Sequence, residues 1–170
     1  MDLTPLIGQL QRGPGVIGGM LDGLDPKAMR WRPAPGKWSA LEVICHLADE
    51  ERQDFRLRLD LTLHQPGREW PAIDPPAWVS ERAYQDREPS AALEDFMHER
   101  AKSLIWLQML ESPDWDLFYE HPQLGRISAG DLLSAWAAHD LLHLRQLTRL
   151  RFMNLEVNSV PYQLAYAGAW

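Results

Sequence analysis

Apolar residues recur at intervals of three and four positions in four separate stretches of this 170-residue chain, and this period predicts four amphipathic helices. No stretch that alternates polar and apolar residues is long enough to predict a sheet. A chain of this length can bury one sizeable core without disulfides, and its single cysteine, Cys45, cannot form one within the chain. We therefore predict an all-α four-helix bundle that forms one domain over residues 1–170.

Capping residues and prolines predict where the first two helices begin and end. Thr4-Pro5 predicts the start of the first helix, and Gly13-Pro14-Gly15 predicts a kink or a break inside it. Ser39 and Glu42 have the spacing of a capping box, so the second helix should start near Ser39. Its apolar period continues to about His64.

A long connection should separate the second helix from the third. Residues 65–89 contain five prolines, and they predict a crossover with one short helical turn around residues 79–84. The third helix should start after Pro89, where Ser90 can cap it, and end before Pro113. The fourth should start at the segment Ser128–Asp131, which is spaced like a capping box, and one short helix is expected in residues 160–170.

The composition limits the partners that we expect. Asp and Glu together number 24 against 17 Lys and Arg, which gives a formal net charge of −7. Binding to the backbone of nucleic acids requires a basic surface, so we expect no nucleic-acid partner. The sequence contains no signal-peptide pattern and no uninterrupted run of about 18 apolar residues. We therefore expect no membrane association and a cytoplasmic location.

Three histidines in helical stretches are the candidate functional residues. His139 and His143 lie one turn apart on the predicted fourth helix, so both imidazoles can reach one point beside it. If the helix that carries His46 packs there, three neutral nitrogens converge and form an open metal site. The same spacing also arises by chance, and histidines that only pack and hydrogen-bond in the core are the alternative.

Other side chains near these histidines allow two interpretations each. Asp49 and Glu50, about one turn after His46, can supply a fourth ligand or orient an imidazole, although the simpler interpretation is a solvated helix face. Trp136, one turn before His139, can close the cavity beside the site or pack in the core. The sequence alone does not decide between these interpretations.

The segment His139-Asp140-Leu-Leu-His143 invites comparison with the His-Glu-x-x-His helix of zinc peptidases, in which the glutamate acts as a general base. The side chain of Asp140 is one methylene shorter than that of glutamate. In addition, no strand is predicted that could hold a peptide. We therefore do not expect a peptidase.

Two segments together resemble the DinB-like superfamily. They are residues 32–51, RPAPGKWSALEVICHLADEE, and residues 138–146, AHDLLHLRQ. The resemblance covers nearly the whole chain and implies a four-helix bundle in up-down-down-up order. It also implies a divalent metal ion held by His46, His139 and His143, and it is compatible with a homodimer.

The relatives in this superfamily indicate which reactions to expect. They include bacillithiol S-transferases, thiol-dependent maleylpyruvate isomerases and the metal-binding part of ergothioneine-synthesis enzymes. The resemblance therefore implies a metal-dependent enzyme that activates a low-molecular-weight thiol, as an S-transferase does, or water, as a hydrolase does, for attack on a small-molecule substrate. Zinc or nickel is expected, and iron or manganese is compatible with the same ligands. The alternative is a non-catalytic metal- or ligand-binding bundle with a structural or sensing role.

Overall fold

The computed structural model describes residues 3–168 and residue 170, and its helices form a four-helix bundle. In chain order the elements are α1 (Thr4–Leu21), α2 (Pro26–Arg30), α3 (Ala40–Glu50), a π-helical turn (Glu51–Phe55), α4 (Arg56–His64), α5 (Pro75–Glu81), α6 (Pro89–Gln108), strands β1 (Phe118–His121) and β2 (Gly125–Ser128), and α7 (Ala129–Asn158). The bundle consists of α1, the continuous helical segment from α3 to α4, α6 and α7. This confirms the predicted fold, with its up-down-down-up order and its long crossover between the second and third bundle helices.

Both predicted capping boxes are present. The backbone N–H of Ser39 donates to Oε2 of Glu42 over 2.7 Å, and the N–H of Glu42 donates to Oγ of Ser39 over 3.3 Å. Ser128 and Asp131 make the same reciprocal pair at the start of α7, with distances of 2.9 and 3.0 Å. Each pair satisfies two N–H groups that have no partner within the helix, which fixes the first residue of α3 and of α7.

α1 continues through Gly13-Pro14-Gly15, so the break that was one of the two predicted outcomes does not occur. Pro14 has no N–H group, so it cannot bond to the carbonyl of Leu10 one turn earlier. Nη1 of Arg100, from α6, donates to that carbonyl over 2.9 Å. A side chain from another helix thus replaces the hydrogen bond that the proline removes. The start is also shifted, because Leu3 and not Thr4 is the N-cap residue.

Gly13 allows another helix to approach α1 closely. A Cβ atom at this position would lie 2.2 Å from Oδ2 of Asp140, in α7, and 3.1 Å from Nη1 of Arg100. These distances are shorter than van der Waals contact, so only glycine fits without a shift of the buried pair. The Gly-Pro sequence, which suggested a broken helix, is therefore the contact point for Arg100 and Asp140.

The connections contain further differences from the prediction. The helical turn in the crossover, α5, begins at Pro75, and a 3-10 turn, Tyr84–Asp86, follows it. The third bundle helix begins at Pro89 itself, with Glu88 as the N-cap residue instead of Ser90. A two-stranded hairpin, β1 and β2, precedes α7 and was not predicted, because strands of four residues are too short for a recognisable period. The short helix expected near the end is a 3-10 turn, Ala165–Ala167.

Apolar side chains from all four bundle helices fill the core along its length. One cluster of buried residues includes Ile17, Leu47, Phe96 and Leu147. A second cluster includes Leu10, Leu59, Leu107 and Leu133. Each cluster takes a residue from every bundle helix, and burying each such side chain contributes about 1.5–3 kcal/mol.

Among the described helices, none combines the length and the apolar character that crossing a membrane requires.

Replacing Gly13 with alanine should lower the free energy of unfolding by about 2–4 kcal/mol, because the new methyl group displaces the buried carboxylate of Asp140. Gly19→Ala is the matched control. Gly19 lies in the same helix and a Cβ there meets nothing within 4 Å, so we expect a gain of roughly 0.5–1 kcal/mol. Urea unfolding of the three proteins measures both effects. Equal stability of Gly13→Ala and the parent would show that the contact at Gly13 is not tight.

Candidate metal centre

Three histidines from two bundle helices lie together. His46 projects from α3, and His139 and His143 project from α7. One ligand atom of each residue lies within 4.8 Å of those of the other two. Nε2 of His139 and Nε2 of His143 are 3.0 Å apart, and the ring centroid of His46 lies 4.8 Å from that of His143. Spacing along the chain predicted the pair on α7, and the packing of α3 brings the third histidine to them.

Aromatic rings pack against the histidines, and burial lowers the pKa of the imidazoles. The ring of Trp38 lies 4.9 Å from that of His46, and the ring of Phe55 lies 5.1 Å from that of His139. Burial, with a smaller effect of the charge on His143, lowers the pKa of His46 to about 3 and the pKa of His139 to about 2. Burial also lowers the pKa of His143. Neutral imidazole is the form that binds a metal ion, and these rings stay neutral at pH 7.

The sequence analysis did not identify Gln146, which orients His143. Oε1 of Gln146 lies 2.9 Å from Nδ1 of His143, one turn earlier on α7. Because an amide oxygen only accepts hydrogen bonds, Nδ1 of His143 carries the proton and Nε2 keeps its lone pair toward the cluster. Gln146 follows His143 by three positions on one helix, and this spacing could have indicated the contact. Glutamine at such a position is also common on solvated helix faces, so the spacing was not a specific signal.

Glu50 lies beside His46. Its Oε1 atom is 3.6 Å from Nδ1 of His46, and both atoms are buried without a hydrogen-bond partner in the described part of the chain. Burial, with a smaller contribution from the neighbouring Asp54, raises the pKa of Glu50 to about 9. The carboxyl group is therefore neutral at pH 7 and stands next to the ring nitrogen of His46 that lies nearer to it.

Asp49 and Glu50 are both buried, so the interpretation of a solvated helix face is wrong. Asp49 accepts a hydrogen bond from the hydroxyl of Tyr84, and its Oδ2 atom lies 2.6 Å from Nη1 of Arg82. These partners occupy Asp49, whereas Glu50 contacts a histidine of the cluster. Of the two carboxyl groups, that of Glu50 is the one placed to orient an imidazole.

Two residues close in sequence to the histidines, Glu51 and Asp140, belong to a buried ion network. Arg100, which is 1% exposed, donates from Nη1 and Nη2 to the two carboxylate oxygens of Asp140, over 2.7 Å each. Its Nε atom donates to Oε1 of Glu51 over 2.8 Å. The indole N–H of Trp136 donates to the same oxygen over 2.7 Å. One guanidinium thus serves two buried carboxylates, and Oε2 of Glu51 is buried without a hydrogen-bond partner among the described residues.

The contacts of this network decide two alternatives that the sequence left open, the role of Asp140 and the position of Trp136. Asp140 is fully buried and held by Arg100, so it cannot act as the glutamate of a zinc peptidase does. Trp136 is 1% exposed and its ring stacks on that of Phe55 at a centroid distance of 5.7 Å. It therefore packs in the core and does not line the open side of the cluster.

A cavity of about 710 Å³ opens at the histidine pair on α7. Its lining residues are His139, Leu142, His143, Arg145, Gln146, Arg149 and Trp170. A small molecule can therefore reach two of the three histidines from outside the bundle. Three nitrogen ligands with an accessible side have the arrangement of a catalytic metal site rather than of a closed structural one.

The metal-free protein should lose stability as the pH falls below 6.5. Between pH 6.5 and about 2, the unfolded chain binds a proton at His139 that the folded chain does not bind. The free energy of unfolding therefore decreases toward lower pH by up to about 1.4 kcal/mol per pH unit for this residue. Denaturant unfolding of chelator-treated protein at pH 4–7 should show a shallower decrease for His139→Gln and His46→Gln. Identical slopes in all three proteins would contradict the low pKa of these histidines.

Two known proteins are similar to this chain, one in sequence and one in structure. A protein from Oceanobacillus iheyensis, named "putative metal-dependent hydrolase", is 32% identical over 117 residues, which are 68% of this chain and 66% of that protein. The matched region thus spans about two thirds of the length of this relative. YfiT from Bacillus subtilis is described as a probable metal-dependent hydrolase with an unusual four-helix bundle topology. Its structure matches with a TM-score of 0.78 and 20% identity, over 89% of this chain and 87% of that chain.

The match to a family model extends over most of the chain. The model of the DinB superfamily matches residues 9–147, which include the three clustered histidines, Glu50 and Gln146. The resemblance noted in the two sequence segments is therefore confirmed. This chain belongs to the DinB superfamily.

Proposed function

We propose that this protein is a metal-dependent enzyme that holds a divalent ion with His46, His139 and His143 and acts on a small molecule. The observation that carries the proposal is the convergence of three neutral imidazoles, with ligand atoms within 4.8 Å, beside an open cavity. The names of the Oceanobacillus relative and of YfiT both refer to a metal-dependent hydrolase, which supports the same class of function.

The residues present fit a divalent ion. Three imidazoles suit zinc or nickel, and iron or manganese accepts the same donors. Nδ1 of His46 and Oε1 of Glu50 lack hydrogen-bond partners among the described residues, yet they are 3.6 Å apart. When the other ring nitrogen of His46 binds an ion, Nδ1 carries the proton and can donate it in a hydrogen bond to Glu50. A bound ion would thus give both buried atoms a hydrogen-bond partner, which supports the proposal.

The chain's own groups prepare this site for chemistry. When bound, a divalent ion with three neutral protein ligands supplies open coordination positions at which the pKa of a water or a thiol falls. Gln146 holds His143 with Nε2 toward the cluster, and Trp38 and Phe55 shield the imidazoles from water. The cavity gives a small substrate access to this position. We infer transfer to a low-molecular-weight thiol, or hydrolysis, as the reaction class.

Purified parent protein should contain about one divalent ion per chain, and the double variant His139→Ala, His143→Ala should contain almost none, because it keeps only one of three ligands. The control variant His64→Ala, His98→Ala removes two exposed histidines outside the cluster and should keep the metal. Elemental analysis of untagged protein, purified without chelator, measures all three. A metal-free parent after incubation with zinc, nickel and manganese would contradict the proposal.

Metal-loaded parent should accelerate either the conjugation of a cellular thiol to a model electrophile or the hydrolysis of a small ester or amide. The rate should fall to background in chelator-treated protein and return on addition of the metal, because a bound ion would supply the activation of the thiol or water. Thiol consumption and product formation, followed with several thiols and both substrate types, measure this. Bound metal without any such activity, together with a large loss of thermal stability on chelation, would instead indicate a structural metal site.

A further inference from the structure

The cavity at the histidines carries two arginines on its wall. Arg145 and Arg149 lie four positions apart on α7, so they are neighbours on one face of the helix. Leu142 and Gln146 separate them from the histidine pair on the same helix. A molecule that fills this cavity can therefore contact the histidine pair and both guanidinium groups.

Neither guanidinium is engaged by the protein. Arg145 and Arg149 are exposed and make no hydrogen bond or ion pair with any other described residue. Other arginines of the chain behave differently. Arg30 donates to three backbone carbonyls, and Arg56 is paired with Glu99 at 2.7 Å. The donors of the two cavity arginines are free to bind a ligand.

The charge of the cavity wall is opposite to that of the whole protein. The chain has a formal net charge of −7, yet none of the described residues that line this cavity is acidic. The nearest carboxylate along α7, Asp140, is buried and paired with Arg100. A wall with two guanidinium groups and, among the described lining residues, no Asp or Glu side chain attracts anions and repels cationic molecules.

The positions of the two arginines relative to His143 limit the size of the ligand. Arg145 and Arg149 follow His143 by two and six positions, which places them about 160° and 120° around α7 from that histidine. An anionic group held between the two arginines is then several bonds away from an atom at the histidines. This distance excludes a single small anion as the complete substrate and fits a molecule with a reacting end and an anionic end.

We infer that the molecule bound at this site carries an oxyanion, a carboxylate or a phosphate, which Arg145 and Arg149 bind while its reacting end lies at the histidines. This inference rests on the proposed function and names the substrate class of the same site. The planar fork of each guanidinium matches the two oxygens of such a group. The arginines act as specificity-determining residues because they touch the ligand away from the reacting atoms.

Three six-carbon thiols that differ only at the far end test the inference. They are 6-mercaptohexanoate, 6-mercaptohexyl phosphate and the neutral 6-mercaptohexanol, each titrated by calorimetry into zinc-loaded parent protein of measured metal content. We expect at least one anionic thiol to bind about tenfold or more tightly than the neutral one. The stronger of the two anions identifies carboxylate or phosphate as the preferred group. Raising the salt concentration should reduce the preference, because the arginines are exposed.

The variant Arg145→Gln, Arg149→Gln should bind the neutral thiol as the parent does and lose the preference for the anionic thiols. Arg12→Gln, which removes an exposed arginine from α1, should keep the preference. Equal affinity of the parent for all three thiols, or a preference that survives in the double variant, would overturn the inference while the metal site stands. If the parent binds nickel or manganese instead of zinc, the titrations use that ion. A parent that binds none of the three would overturn the proposed function, and this inference with it.

Discussion

The guanidinium of Arg100 connects the bundle helices at one buried point. It pairs with Glu51 of the second bundle helix and with Asp140 of α7, and it bonds to the carbonyl of Leu10 in α1. The indole of Trp136 donates to Glu51 as well. Removing one partner of a buried pair leaves an uncompensated charge, which costs about 3–5 kcal/mol. The relative positions of the four helices therefore depend on keeping this group paired.

The positions of the three clustered histidines depend on the same buried guanidinium, that of Arg100. Asp140 follows His139 directly on α7, and Glu51 lies five residues after His46, where α3 ends and the π-helical turn begins. The two segments that carry the proposed metal ligands are thus both held to α6 through Arg100. Turns of π-helix occur often at functional sites, and this one changes which residues face the core just after His46 and Glu50. The ion network next to the proposed ligands holds in place the two helical segments that carry the clustered histidines.

Local signals predicted most of the fold. The capping boxes at Ser39 and Ser128 act within four residues, and the spacing of His139 and His143 is set by the helix itself, so neither depends on other segments. The burial of Asp49 and Glu50 was missed because it depends on Tyr84, Arg82 and the packing of other helices. A charged residue is expected at the surface until a distant partner is known.

The sequence by itself determined the four helices, most of their ends, the family and the three histidines that we propose as metal ligands. These features follow from periods of three and four residues and from motifs that act over short distances. Only the tertiary structure decided that α1 continues through Pro14, that Glu51, Arg100 and Asp140 are paired in the core, and that a cavity with two free arginines opens at the histidines. Each of these contacts joins residues about 40 or more positions apart or depends on how helices pack, and no local pattern specifies such contacts.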